Sequence, residues 1–149
     1  MPGQNVSLIR RWFDEVWNHG RIETIYELMA PNAIGIGQGG GKVALHGPQQ
    51  FQAFVETLRG AFPDITVTIE DAFESGDKVV ARWSATMTHK GGQLGIAASG
   101  KSVTISGISI AQIVNGKIIA GWDRWDELGM MRAIGAVQRA EIPLTAATT

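Results

Sequence analysis

Residues 101–126 read KSVTISGISIAQIVNGKIIAGWDRWD. At their centre Asn115-Gly116 offers the two left-handed positions that a tight β-hairpin needs. The flanks, rich in isoleucine and valine, predict two long antiparallel strands, Lys101 to about Val114 and Lys117 to about Trp125. Successive side chains on a strand face opposite ways. Ile105, Gly107, Ser109 and Ala111 therefore share one face of the first strand, and Gly121, Asp123 and Trp125 one face of the second. Trp122, Arg124 and Asp126 fall on the other side. The small or apolar set is assigned to an enclosed pocket, which leaves one carboxylate, Asp123, beside an indole.

Working upstream, Ser75-Gly76-Asp77 reads as another hairpin turn, with a strand from Lys78 to about Thr88 after it. Before it, Ile65, Val67 and Ile69 alternate with Thr66, Thr68 and Glu70, the pattern of a half-buried strand. The N-terminal third has helical spacing instead. Ile9, Trp12, Phe13, Val16 and Trp17 lie on one helical face, with Asn5 or Ser7 as cap and Gly20 as stop. Ile22, Ile25, Leu28 and Met29 mark a second short helix closed by Pro31. Gly47-Pro48 opens a third, which carries Phe51, Phe54, Val55 and Leu58 and ends at Gly60. Between these two helices, Gly35, Gly37, Gly39, Gly40 and Gly41 predict a flexible loop or rim. No Gly-Lys-Ser/Thr follows to make that stretch a phosphate cradle. Downstream of Trp125, Asp126 is read as the N-cap of a terminal helix with Leu128, Met131 and Ile134, stopped by Gly135. Residues 1–140 form one domain on this reading, and 141–149 a flexible tail. Helices followed by a meander of long strands argue for an α+β fold, a cone of three helices packed on a strongly curved antiparallel sheet.

The bulk numbers bound the function. The chain has 149 residues, 44% hydrophobic and 18% charged, a globular composition with net charge -1. There is no basic field for nucleic acid or anionic lipid, so the expected ligand is small and largely uncharged. No apolar run approaches a membrane span, and the start MPGQNVSLIRRWF has no apolar signal core, so a cytoplasmic protein is expected. The absence of cysteine removes disulfides, thiolate nucleophiles and Cys-ligated metals. No His-Glu-x-x-His spacing and no Gly-x-Ser-x-Gly elbow occurs, and His19 and His46 sit at a helix end and before a turn. No metal and no cofactor is expected.

The segments AFPDITVTIED, GDKVVARWSATMTHKG, GISIAQIVNGKI and WDRWDELGMMRAIG together resemble the SnoaL-like polyketide cyclases. Those enzymes belong to the superfamily built like nuclear transport factor 2 and ketosteroid isomerase. The most specific parts are the ARW and TH-x-G pair across four residues and the W-x3-D-x2-G ending, and the likeness spans roughly residues 6 to 136. The resemblance implies a cone with a pocket between sheet and helices, and it makes Asp123 the acid/base of an intramolecular aldol closure. Desolvation raises the pKa of such a carboxyl towards a useful range. His89, at a strand end, is expected on the pocket rim as a second catalytic group. Arg82 is either an orienter of Asp123, as in the epoxide hydrolases of this superfamily, or a snorkelling surface cation. Ser84, Ser109, Gly107, Trp125 and Ile105 complete the expected substrate-binding set.

Some residues depart from the resemblance. Where limonene-epoxide-hydrolase-like enzymes need a tyrosine and an asparagine, this chain has Ala33-Ile34-Gly35-Ile36-Gly37, and Ser84 replaces their second aspartate. That hydrolase reading loses its water-binding groups. The same stretch lacks the histidine often found in the cyclases, and Ser109 stands where they can carry another. The expectation is a cofactor-independent cyclase or isomerase acting on a hydrophobic polycyclic molecule; the alternative is a non-catalytic binding protein of the same fold. A homodimer, or a tetramer, through the outer sheet face is expected from the resemblance.

Overall fold

The computed structural model describes residues 3–39 and 44–137. The expected tail at 141–149 lies outside them, as do Gly40 and Gly41. Helix α1 (Gln4–Trp12) runs into a π-helical turn (Phe13–Asn18), and α2 (Ile22–Leu28) follows. Strands β1 (Met29–Ile36) and β2 (Leu45–His46) precede α3 (Gly47–Ala61). Then come β3 (Thr66–Ser75), β4 (Lys78–Thr88), β5 (Ser102–Val114), β6 (Lys117–Trp125) and α4 (Glu127–Ala133). One six-stranded sheet has the order β2-β1-β6-β5-β4-β3. Its strands pair antiparallel except β1 with β6, which is parallel.

The hairpin at 115–116 forms as its dipeptide predicts, with φ of 52° at Asn115 and 74° at Gly116. The helical face of Ile9, Trp12, Phe13, Val16 and Trp17 packs into the core through both the α-helical and the π-helical turn. Gly20 stops it at φ 65°. Neither Asn5 nor Ser7 caps α1; Gly3 occupies that place. Asp126 does cap α4, accepting from the Gly129 amide at 2.9 Å. On that helix Met130 is buried whereas Leu128 is exposed.

The larger correction concerns residues 29–36. Despite Pro31 and Gly35 they form strand β1, because β6 offers a parallel edge to them (Gly35 opposite Gly121, Ile36 opposite Trp122). Pro31 is tolerated because β2 covers only Ile34 and Gly35 on the other side. The concave face of the sheet carries Val79, Ala81, Ala85, Met87, Val103 and Ile105, all buried against Phe51, Val55 and Phe62 from α3 and its end.

Candidate active site

Sheet and helices leave a cavity of about 110 Å³ between them. Ile105, Ser109, Ala111, Gly121, Asp123 and Trp125 line it from β5 and β6, the two sets that strand parity places there apart from Gly107. Trp12, Phe13 and Trp17 close it from the first helix, and Phe51, Phe54 and Leu58 from α3. Indoles apart, Gln38, Ser109 and Asp123 are the only hydrogen-bonding side chains on its wall, and Asp123 is the only ionisable one, among the described residues.

Asp123 sits opposite Ser109 in the β5–β6 ladder. Its Oδ2 accepts from Nε2 of Gln38 at 3.0 Å. Burial pushes the carboxyl above its ordinary value; donation from Ser109 and Gln38 and the charge of Arg124 oppose that rise without cancelling it. A carboxyl so placed keeps its proton to higher pH than an exposed one, the direction that favours general acid/base work.

Gln38 escapes a reading of the sequence, since it lies among glycines in a stretch expected to be loop. Those glycines are what seat it. Gly37 has φ 87°, and a Cβ there would overlap the Asp123 carbonyl oxygen; a Cβ at Gly35 would press on the Gln38 amide. The chain can therefore lie flat on β6 and bring Gln38, 5% exposed, against the carboxylate. Trp125 fixes it from the other side, its Nε1 donating to the Gln38 carbonyl oxygen at 2.8 Å. Trp83 is the second such residue. It lines the cavity, and its Nε1 donates to the Ser109 hydroxyl at 3.0 Å. Gly107, expected in the substrate-binding set, does not line the cavity: the Trp83 and Trp125 side chains cover it, since a Cβ there would strike both, and it borders a depression on the outer face instead.

Three more expected site residues lie elsewhere. His89 is 0% exposed and does not line the cavity, so it is no rim residue. Its Nδ1 accepts the Ser99 backbone N–H at 3.1 Å and lies 2.9 Å from the Ser99 hydroxyl, and its ring packs on Phe62. A backbone amide only donates, so the ring hydrogen sits on Nε2. His89 ties down the connection between β4 and β5. Arg82 and Ser84 face outward, for β4 turns Val79, Trp83, Ala85 and Met87 to the cavity and buries Ala81 on the same face. Ser84 donates to Glu70 at 2.6 Å, and both residues border a shallow outer depression with Arg124. Arg82 therefore cannot orient Asp123.

The SnoaL-like polyketide cyclase family model matches residues 7–134. The chain belongs to that family. Within it, the chain is similar to the aklanonic acid methyl ester cyclase DauD of Streptomyces sp. strain C5, 30% identical over 131 residues. That match covers 87% of this chain and 81% of DauD. The cyclase DnrD of Streptomyces peucetius, of the same description, is also 30% identical over 131 residues, covering 87% of this chain and 90% of its own. Among solved structures, a SnoaL-like polyketide cyclase homologue from Jannaschia sp. CCS1 superposes with a TM-score of 0.82 at 30% identity, covering 92% of this chain and 95% of that one. The SnoaL-like architecture, helices on one curved sheet, is thus common to this chain and its relatives. No described helix is long and apolar enough to cross a membrane, and no group of three or more His, Cys, Asp or Glu among the described residues could hold a metal ion.

Proposed function

We propose that this SnoaL-like protein catalyses an intramolecular aldol cyclisation, without a cofactor, on a hydrophobic molecule that carries two carbonyl groups, with Asp123 as the single acid/base. The observation that carries this reading is a single buried carboxyl, held by Gln38 and raised in pKa, on a mostly apolar cavity wall that is otherwise uncharged among the described residues. Its carboxylate takes a proton from the carbon beside one carbonyl. The resulting enolate attacks the second carbonyl to form the new C–C bond, and the alkoxide recovers the proton from Asp123. Atoms balance, and the product is an isomer of the substrate. One carboxyl serves both transfers, so the missing histidine partners do not block the chemistry.

The cavity limits what fits. Apolar cavities of about 150 Å³ accept benzene, and drug-sized ligands fill roughly 300 to 1,000 Å³. A cavity of about 110 Å³ is smaller than either, so the cleft must widen to take even the reacting ring beside Asp123, and more for further rings. The aromatic lining suits a flat ring system.

Aklanonic acid methyl ester, after which the two Streptomyces cyclases are named, is the probe of choice. The wild type is expected to convert it to a product of equal mass, and Asp123→Asn to lose at least about a hundredfold in turnover while still binding it, read by tryptophan fluorescence. A wild type that binds the ester unchanged over hours, with Asp123→Asn indistinguishable from it, overturns the reading in favour of a binding protein. We also propose a two-fold dimer through the outer sheet face, supported by an apolar row that crosses five strands there.

A further inference from the structure

Trp83 donates its one N–H to the Ser109 hydroxyl at 3.0 Å, and Ser109 stands directly across the ladder from Asp123. An indole N–H can only donate, whereas a hydroxyl has one hydrogen to give. With Trp83 occupying a lone pair of Ser109, the hydroxyl's own hydrogen turns to the carboxyl opposite. We infer that Trp83 is a positioning residue that acts through Ser109: it fixes that hydroxyl as a permanent donor to Asp123, so the mobile proton is exchanged on the side of the carboxyl shared with Gln38. Gln38 suits that side. Its amide presents Nε2 to a carboxylate and, rotated, Oε1 to a protonated acid.

The arrangement supplies from β4 and β5 what a histidine at position 109 would have supplied. It needs the close packing that Gly107 permits, because a Cβ there would push Trp83 away. Among the described residues no other charge competes for the carboxyl from inside. Arg124 is the one cation among them that acts on it, and its guanidinium folds back onto the Asp123 carbonyl oxygen at 2.8 Å. The lining from the helices, β1, β3 and β4 is uncharged. The inference rests on Asp123 as the proton carrier, and deepens that reading.

The test follows the Asp123 carboxyl carbon by NMR through a pH titration of the substrate-free protein labelled with carbon-13 aspartate, assigned by its loss in Asp123→Asn. A donor to the carboxylate favours the ionised form, so Ser109→Ala is expected to move the midpoint to higher pH. Trp83→Phe moves it in the same direction by less, and the double variant by no more than Ser109→Ala alone. Ser109→Thr, which keeps the hydroxyl, leaves it near the wild-type value. A Trp83→Phe midpoint equal to the wild type, or a Trp83→Phe shift that persists in the Ser109→Ala background, overturns the inference. If Trp83→Phe does not fold, the Trp83 indole resonance of the wild type decides: it is expected to titrate with the Asp123 midpoint, and a flat response overturns the relay. Because no substrate is used, loss of the relay and loss of cyclase activity in Asp123→Asn remain separate results.

Discussion

Asp123 is held by opposing demands. Its surroundings disfavour charge, yet Gln38 and Ser109 both donate to it. The folded value stays above the unfolded one, so this side chain favours the folded state only while protonated. That contribution is complete below the ordinary Asp value of about 3.9, and is lost as pH rises through the folded value. Asp123→Asn removes the titration. Its melting temperature is therefore expected to gain on the wild type as pH rises above that ordinary value, the gap levelling off once Asp123 is ionised in the fold. Thermal melts in steps from pH 4 to pH 8 check this; a gap that shrinks with rising pH would mean that the donors outweigh burial. The residue most plainly marked in the sequence is thus also one whose contribution to stability falls as pH rises, which accords with the acid/base role proposed for it.

At the scale of elements, the π-helical turn sets the seam between the first helix and the sheet. It delivers Asn18 to the edge strand β3, where Nδ2 donates to the Val67 carbonyl at 3.1 Å and Oδ1 accepts the Val67 N–H at 2.6 Å. One side chain satisfies both backbone groups of an edge residue. Asn18→Ala strands them partly buried and is expected to cost about 1–3 kcal/mol, read as a lower urea midpoint at unchanged slope; a variant within 0.5 kcal/mol (about the scatter of surface substitutions) would show that water replaces the amide. Nothing local announces this contact, since its two ends are 49 residues apart. The same distinction runs through the fold. Strands β5 and β6 and their turn were legible because alternation and Asn115-Gly116 are local signals. Strand β1 was not, because Pro31 and Gly35 read as breakers until a parallel partner 86 residues away in register supplies the ladder (Gly35 to Gly121). Gln38 was hidden for the same reason. Arg82 and Ser84 are different: Ala81, Trp83, Ala85 and Met87 alternate with Arg82, Ser84 and Thr86 along β4, and that pattern alone turns both outward. The likeness to epoxide hydrolases suggested otherwise.

At the scale of the whole molecule, the convex face of the sheet is where a second copy would sit. Phe73, Val80, Ile110, Trp122 and Ile36 are successive cross-strand neighbours, an apolar row over β3, β4, β5, β6 and β1. Phe73 is 55% exposed and Ile108, one rung along, 48%, which is a costly surface for an isolated chain. Arg82 and Arg124 flank the row, with Glu70 and Asp126 in the same depression. A two-fold axis through the row would therefore set apolar side chains against one another and leave each copy's arginines within reach of the other's acids. Trp122→Glu places a charge at the centre of that contact and leaves the concave face untouched. By light scattering, the wild type is expected at twice the 16.0 kDa chain mass and Trp122→Glu at the single-chain mass, with tryptophan fluorescence of the cavity indoles otherwise preserved. A wild type that stays at the single-chain mass at tens of micromolar would sink the dimer. A Trp122→Glu variant that still doubles would move the interface off this face. In either case the cavity opens on the other side of the sheet, so cyclisation by Asp123 is expected to survive the substitution, and a parallel loss of turnover would mean that the second copy helps to shape the site.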